Sequence, residues 1–388
     1  MAYSGHAIAP FPPHRLVSGH LFQSLLPPDD NIAGPDLLTA FPAIKTSVLA
    51  RCCALLFGLA VLSVGVGGCS TSPEGPAAFA ATTLPPAQAG IASKSTLVAV
   101  TTRNAVKGAR SKPWFGTQRA NQPSNVRIQL SSPDDGPLSA VGIGDWSIKT
   151  VETVPFGESF SASDGRRDVL VYIHGFNQTF ETAVLDAARL SDGLKFRGDT
   201  MLFSWPSKNS LLNYIYDRES AMWSRDALEE MLDQLMADPS VGIIHIVAHS
   251  MGTMVTVEAL RQLYDRRAAT MAGRIGAVVL ASPDIDMDGF KSSITRLGGF
   301  ARKMTVLTVA NDRALSAMRD MAGGVTRVGT AEKTQLEALG LRVIDASDYA
   351  GGGLNHDLFL TNGQVREVIR RVMDGARPPA LASGGAIQ

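Results

Sequence analysis

Apolar positions along most of this chain follow two alternating periods. Short apolar runs rich in β-branched residues occur at 96–101, 126–130, 169–173, 200–203, 243–248, 277–280, 304–309 and 341–344. Several are apolar at nearly every position, the pattern of parallel strands covered on both faces. Between them, apolar residues return every three or four positions at 180–194, 220–236, 253–266, 314–321, 331–339 and 363–373, which predicts helices. This alternation predicts a doubly wound, mostly parallel sheet flanked by helices. Residues 110–163 lack a helical period and are predicted to form hairpins and loops leading into the sheet.

Residues 1–94 follow neither period. Residues 1–44 are rich in Pro, and Lys45 and Arg51 then precede an uncharged run at 53–68 that ends Val66-Gly67-Gly68-Cys69. A basic flank, an apolar stretch and small residues form the layout of a secretory signal. The end resembles a bacterial lipobox, in which the Cys is lipidated and becomes the first mature residue. The expectation is a leader and signal peptide at 1–68, a lipidated Cys69 opening a flexible tether at 69–94, a globular domain at 95–375, and a disordered tail at 376–388. By the same resemblance, Ser70 suits an outer-membrane location facing the periplasm. The alternative is an uncleaved inner-membrane anchor, because residues 52–73 are uncharged and nearly long enough to span.

Composition narrows the function. Among 388 residues, 36 Lys and Arg balance 36 Asp and Glu, so the basic surplus of an electrostatic nucleic-acid binder is absent. The 6% aromatic content also argues against base-stacking platforms. All three cysteines (Cys52, Cys53 and Cys69) lie in the first 69 residues. A disulfide framework, a Cys-ligated zinc site and a Cys nucleophile are therefore ruled out downstream. No P-loop and no H-E-x-x-H occurs, and Val141-Gly-Ile-Gly-Asp-Trp lacks the third Gly of a dinucleotide fingerprint. No metal and no cofactor is implied.

The chemistry concentrates at the ends of the apolar runs. Ala248-His249-Ser250-Met251-Gly252 stands between a strand-like run and a helical one and resembles the G-x-S-x-G nucleophile elbow, with Ala in the first Gly position. Small residues flank such a Ser because larger ones would strike the adjoining strand and helix. A Ser hydroxyl needs a base, and beyond Cys69 the chain offers His174, His245, His249 and His356. His245 lies inside a strand, His249 adjoins the Ser, and His174 belongs to a different motif. By elimination the base is His356, in the loop Gly353-Leu-Asn-His-Asp. For the acid that orients it, Asp312 follows the run 304–309 and fits the chain order Ser, Asp, His, while Asp284 and Asp286 follow the preceding run and compete.

His174-Gly175-Phe176-Asn177 follows the run 169–173. In α/β-hydrolases an H-G loop here donates a backbone N–H to the oxyanion, which makes Phe176 and Met251 the expected donors. His174 itself is expected to stabilise the loop. Asp217-Arg218-Glu219-Ser220 reads as a capping and ion-pair cluster at a helix start, with Arg218 as a possible substrate contact. Trp205 belongs either to the core or to an acyl pocket.

These motifs carry a resemblance. Thr102-Arg103, His174-Gly-Phe-Asn, Phe203-Ser-Trp-Pro, Tyr216-Asp-Arg-Glu-Ser-Ala, Ala248-His-Ser-Met-Gly, Ser282-Pro-Asp-Ile-Asp, Asn311-Asp-Arg-Ala-Leu and Asn355-His356 occur in that order. From about residue 95 to 375 the chain resembles the bacterial α/β-hydrolase family known as domain of unknown function 900. The resemblance implies an α/β-hydrolase fold and a serine hydrolase of carboxyl esters. The sequence shows no long apolar insertion that would make an interfacial lid, which favours a small or medium acyl ester. Its expected attachment to a membrane runs through the N-terminal lipid. Two alternatives stay open: a thioesterase or amidase with the same triad, and a catalytically inactive envelope binding protein.

Overall fold

The computed structural model describes residues 96–135, 145–156, 166–321 and 324–375. The expected leader, Cys69, the tether and the C-terminal tail lie outside the described residues.

Nine strands form one sheet in the order β3-β2-β1-β5-β4-β6-β7-β8-β9. They are β1 (Thr96–Ala105), β2 (Phe115–Ser131), β3 (Ser147–Thr153), β4 (Arg167–Ile173), β5 (Asp199–Ser204), β6 (Val241–His249), β7 (Ile275–Ala281), β8 (Met304–Thr308) and β9 (Arg342–Asp345). From β1 to β9 all neighbouring pairs are parallel, and β2 and β3 extend the β1 edge as antiparallel additions. Every expected strand is present. β3 lies in the segment expected to form hairpins and pairs antiparallel with β2, but Ser147-Ile-Lys-Thr-Val-Glu-Thr has too few apolar positions to mark it as a separate strand in the sequence.

Burial follows the strand period of two. In β4, Val169, Val171 and Ile173 join the core on one face, and Leu170 and Tyr172 join that on the other. Helices cover both faces: α1 (Phe180–Gly193), α2 (Tyr214–Trp223), α3 (Arg225–Ala237), α4 (Gly252–Arg274), α5 (Met287–Leu297), α6 (Arg313–Met321), α7 (Lys333–Glu337), α8 (Leu358–Thr361) and α9 (Gly363–Met373). The helix α1 opens with a reciprocal cap between Thr179 and Thr182, and Asn362 caps α9 by accepting the Gln364 and Val365 amides.

Helix boundaries depart from expectation in instructive ways. The single helix expected at 220–236 begins earlier, at Tyr214, and divides at Ser224, whose hydroxyl donates to the Ser220 carbonyl. The helix expected to end at Arg266 runs on to Arg274 after a kink at the non-helical Arg267. The helix expected at 331–339 shrinks to α7, and α5 was not expected at all. Its apolar face (Met287, Phe290, Ile294 and Leu297) and its Asp286 cap are legible afterwards.

The chain moves from β4 to β5 in one direction across the sheet, then passes back over β4 to lay down β6. Open α/β sheets bind ligands beyond the carboxyl ends of the strands at such a reversal. The loops after β4, β5, β6, β7, β8 and β9 all lie at that end.

Candidate active site

The turn after β6 sets the site. Ser250 has φ 51°, the left-handed region that costs a residue with a Cβ about 1–2 kcal/mol and persists only when the surroundings impose it. Here the surroundings do. The Ser250 N–H donates to the Ala281 carbonyl at 2.9 Å, while the Ser250 carbonyl accepts the Thr253 amide, the Thr253 hydroxyl and the Asp284 amide. A Cβ on Gly252 would sit 2.3 Å from the His174 carbonyl oxygen, and one on Gly175 would sit 2.9 Å from the Ser250 Cβ. The elbow and the loop after β4 are therefore in backbone-to-backbone contact. Only Gly at both positions permits it.

The two carboxylates left open by the sequence have separate partners. His356 Nδ1 lies 2.7 Å from Asp312 Oδ2, and both side chains are buried. The second Asp312 oxygen accepts the Leu315 amide at the start of α6, which fixes the carboxylate plane. Asp284 instead lies 3.2 Å from the buried Arg327 guanidinium and accepts the Tyr214 hydroxyl at 2.9 Å. Asp286, the third acid considered, caps α5. Burial works against a charged His356 imidazole, but the Asp312 charge and hydrogen bond, aided by Asp284 and Asp357, outweigh it and raise its pKa. Among the described residues, the Ser250 hydroxyl and His356 Nε2 are both buried and neither has a hydrogen-bond partner.

The other histidines serve the framework. His249 packs its ring 4.7 Å from that of His356 and 4.7 Å from Phe359, and its Nε2 lies 3.1 Å from the His356 carbonyl. Burial, with the neighbouring His356, keeps it neutral far below the usual His range. It ties the loop of His356 to the elbow, a role its sequence position did not reveal. His245 is packed within the sheet and accepts the Ala277 amide.

His174 stabilises the loop after β4. Its Nδ1 lies 2.8 Å from the Gly175 carbonyl and its Nε2 accepts the Trp205 amide, which assigns the Nδ1–H tautomer. Burial, followed by the charge of Arg103, lowers its pKa to about 3. Trp205 stacks on the His174 ring at 4.7 Å and donates its indole N–H to the His174 carbonyl, so it belongs to the loop's support. Among the described residues, no group accepts the Phe176 or the Met251 backbone N–H.

Arg103 completes this support. It is 0% exposed, and its guanidinium donates to the Gln178 carbonyl at 2.7 Å, the Ser207 carbonyl at 3.2 Å, the Gly116 carbonyl at 3.3 Å and the Ser204 hydroxyl at 2.9 Å. Burial lowers its pKa to about 10, against the opposing through-space pull of Glu181 and Asp217. The Thr102-Arg103 dipeptide was visible in the sequence, but three of these four contacts lie more than seventy residues away. Among the described residues no three His, Cys, Asp or Glu side chains converge as a metal-ligand set, and no helix is long and apolar enough to cross a membrane.

The chain is similar to several known proteins. An uncharacterized protein of Nostoc sp., alr1448, is 24% identical over 132 residues, which cover 28% of this chain and 34% of the relative. The chain thus spans about a third of that curated relative's length. Among solved structures, a Pyrobaculum calidifontis esterase is similar at 13% identity and a TM-score of 0.34, covering 65% of this chain and 82% of the esterase. Est1E from Butyrivibrio proteoclasticus is similar at 13% identity and a TM-score of 0.33, over 65% of this chain and 94% of its own. A sequence model for a family of α/β-hydrolases matches residues 152–372, more than half of the chain. With the sheet order and the strand-end site, this match establishes that the chain belongs to the α/β-hydrolase family of unknown function DUF900.

Proposed function

We propose that this hydrolase cleaves carboxyl esters of small or medium acyl groups through an acyl-enzyme at Ser250. The observation that carries the proposal is a pair of free atoms at one end of the sheet. Ser250 Oγ, on a strained elbow, and His356 Nε2, on an imidazole held by Asp312, both lack partners among the described residues. In the proposed reaction Ser250 Oγ attacks the ester carbonyl while His356 Nε2 takes the hydroxyl proton. Asp312 holds the imidazole and stabilises the imidazolium. The amides of Phe176 and Met251 receive the developing oxyanion; loss of one such donor typically costs roughly 10²–10³ in rate. Collapse of the tetrahedral intermediate expels the alcohol with the His356 proton. Water then repeats the sequence on the acyl-enzyme and releases the acid.

A fluorophosphonate probe and 4-nitrophenyl esters of increasing chain length test this directly. Labelling and turnover should be present in the wild type and absent in Ser250→Ala. Labelling that persists in Ser250→Ala would refute the nucleophile. A wild type that neither labels nor turns over would favour the inactive envelope binding protein, and preference for thioesters or amides would move the bond class.

We further propose that Cys69 carries lipid and holds the domain at the bacterial envelope, facing the periplasm. Support comes from the sequence Val66-Gly67-Gly68-Cys69 after an uncharged run. A palmitate label that survives Cys69→Ala would refute lipidation there.

A further inference from the structure

The cluster Asp217-Arg218-Glu219-Ser220 has a bland reading, mutual pairing at a helix start, and the structure removes it. Asp217 is buried and engaged elsewhere, accepting the Ser207 hydroxyl and the Lys208 amide. Ser220 accepts Arg119 from β2 on the opposite side of α2, where Arg119 also lies over the Tyr216 and Trp223 rings. Arg218 is left over. It is partly buried, and among the described residues it has no hydrogen bond, ion pair or ring contact.

Its position matters more than its freedom. Arg218 lies one turn after Tyr214 on α2, so the two share a face. Tyr214 sets its ring edge-on against Phe176 at 5.5 Å and donates its hydroxyl to Asp284. The Asp284 amide in turn donates to the Ser250 carbonyl at 3.3 Å. The face carrying Arg218 is thus tied by one contact to the loop of the expected oxyanion donor, and by a second contact, through Asp284, to the nucleophile's carbonyl. The Arg218 charge acts on both the Tyr214 hydroxyl and the Asp284 carboxylate. Asp284 is already matched by Arg327 in a buried ion pair. Arg218 is therefore a positive charge on this face of α2 that no carboxylate among the described residues holds in an ion pair. A guanidinium that is partly desolvated and unpaired binds carboxylate or phosphate oxygens better than any neutral group.

We propose that Arg218 forms an anion subsite beside Ser250, so that the preferred substrates are esters bearing a negatively charged group. This rests on the serine-hydrolase reading of the site, and it adds what that reading lacks, a substrate class. It also predicts that Arg218 discriminates between charged and neutral esters of the same shape.

The test compares matched pairs on the full chain. For a charge in the acyl part, mono-4-nitrophenyl adipate is set against its methyl ester. For a charge in the leaving part, 4-acetoxybenzoate is set against 4-acetoxybenzamide. In the wild type, the kcat/KM ratio of charged to neutral ester should exceed one for one of the pairs. That ratio should fall roughly 10- to 100-fold in Arg218→Gln, the usual range for losing a charge-assisted hydrogen bond. Arg218→Lys should restore part of it, and added salt should lower it in the wild type. A purely structural role would change both members of a pair equally and leave the ratio alone.

The responding pair identifies which half of the substrate carries the charge. A ratio that Arg218→Gln leaves unchanged in both pairs overturns the subsite. Failure of the hydrolase reading is recognised separately, as turnover of the neutral esters that is absent or survives Ser250→Ala. In that case, calorimetric binding of monomethyl adipate to Ser250→Ala decides the matter. Binding weakened roughly 10- to 100-fold by adding Arg218→Gln upholds the subsite, and no binding, or binding indifferent to Arg218, overturns it.

Discussion

Asp312 holds the His356 imidazole by a 2.7 Å hydrogen bond between two buried side chains, while Asp284, one loop earlier, turns away to Arg327 and Tyr214. The two carboxylates should therefore respond differently to the same change. Asp312→Asn keeps the shape but favours the wrong imidazole tautomer, and is expected to lower kcat on a 4-nitrophenyl ester by roughly 10³–10⁴. Asp284→Asn leaves the imidazole in place and strands the buried Arg327 charge, so its main effect should be on stability, of order 3–5 kcal/mol. Steady-state kinetics with urea unfolding of both variants checks the contrast, and equal kinetic losses would contradict it.

The raised His356 pKa gives a pH dependence with a definite sign. The imidazole acts as base only when neutral, so kcat/KM should fall as pH drops through a value above the ordinary 6.5 of His. Asp312→Asn removes the largest raising influence and should move that midpoint downward. Stability follows the opposite course. A group whose folded pKa is raised contributes stability that is fully present below its unfolded value, so this contribution is lost as pH rises from about 6.5 through the folded pKa. Thermal unfolding across that window should therefore show a decline in the wild type that Asp312→Asn reduces.

How much of this was legible can be judged from particular residues. The elbow was legible because its requirements are local: small neighbours, a strand before and a helix after. His356 was reached by elimination in a chain with few histidines. The sequence favoured Asp312 and kept Asp284 as the alternative, since both follow strands and differ only in which way a loop turns. The roles of Arg103, His249 and Arg327 were not legible for one reason. Each works through partners distant in the chain, and a buried Arg or His has no period that marks it. The edge strand β3 and helix α5 were missed because their apolar positions are sparse or sit among Asp residues.

Arg103 makes a specific claim about the loop after β4. Its guanidinium serves three carbonyls and a hydroxyl, with no carboxylate at hydrogen-bond distance among the described residues. Arg103→Met should leave those acceptors buried and unsatisfied, a loss of about 3 kcal/mol or more at 1–3 kcal/mol each. The loop carrying Phe176 should loosen with it. The expected signature is a reduced kcat at little-changed KM in the protein that remains folded, since the proposed oxyanion contact would matter most in the transition state. A variant with lowered stability and wild-type kcat would limit Arg103 to a structural role.

The contact between the elbow and that loop can be probed without touching a polar group. In Gly252→Ala the new methyl would sit 2.3 Å from the His174 carbonyl oxygen and 2.9 Å from that of Ile173, and neither backbone atom can rotate away. Relief requires the elbow and the loop to part, which moves Ser250 relative to the Phe176 amide. Overpacking of this kind costs about 1–3 kcal/mol, and displacement of the reacting groups should lower kcat by roughly 10²-fold for a shift near 1 Å. Gly273→Ala is the matched control, on the same helix but with nothing within 4 Å of its new Cβ. There helix propensity should stabilise the protein by about 0.5–1 kcal/mol, with turnover unaltered. If Gly252→Ala resembled this control in both stability and kcat, the close approach of loop and elbow would not be what positions the nucleophile.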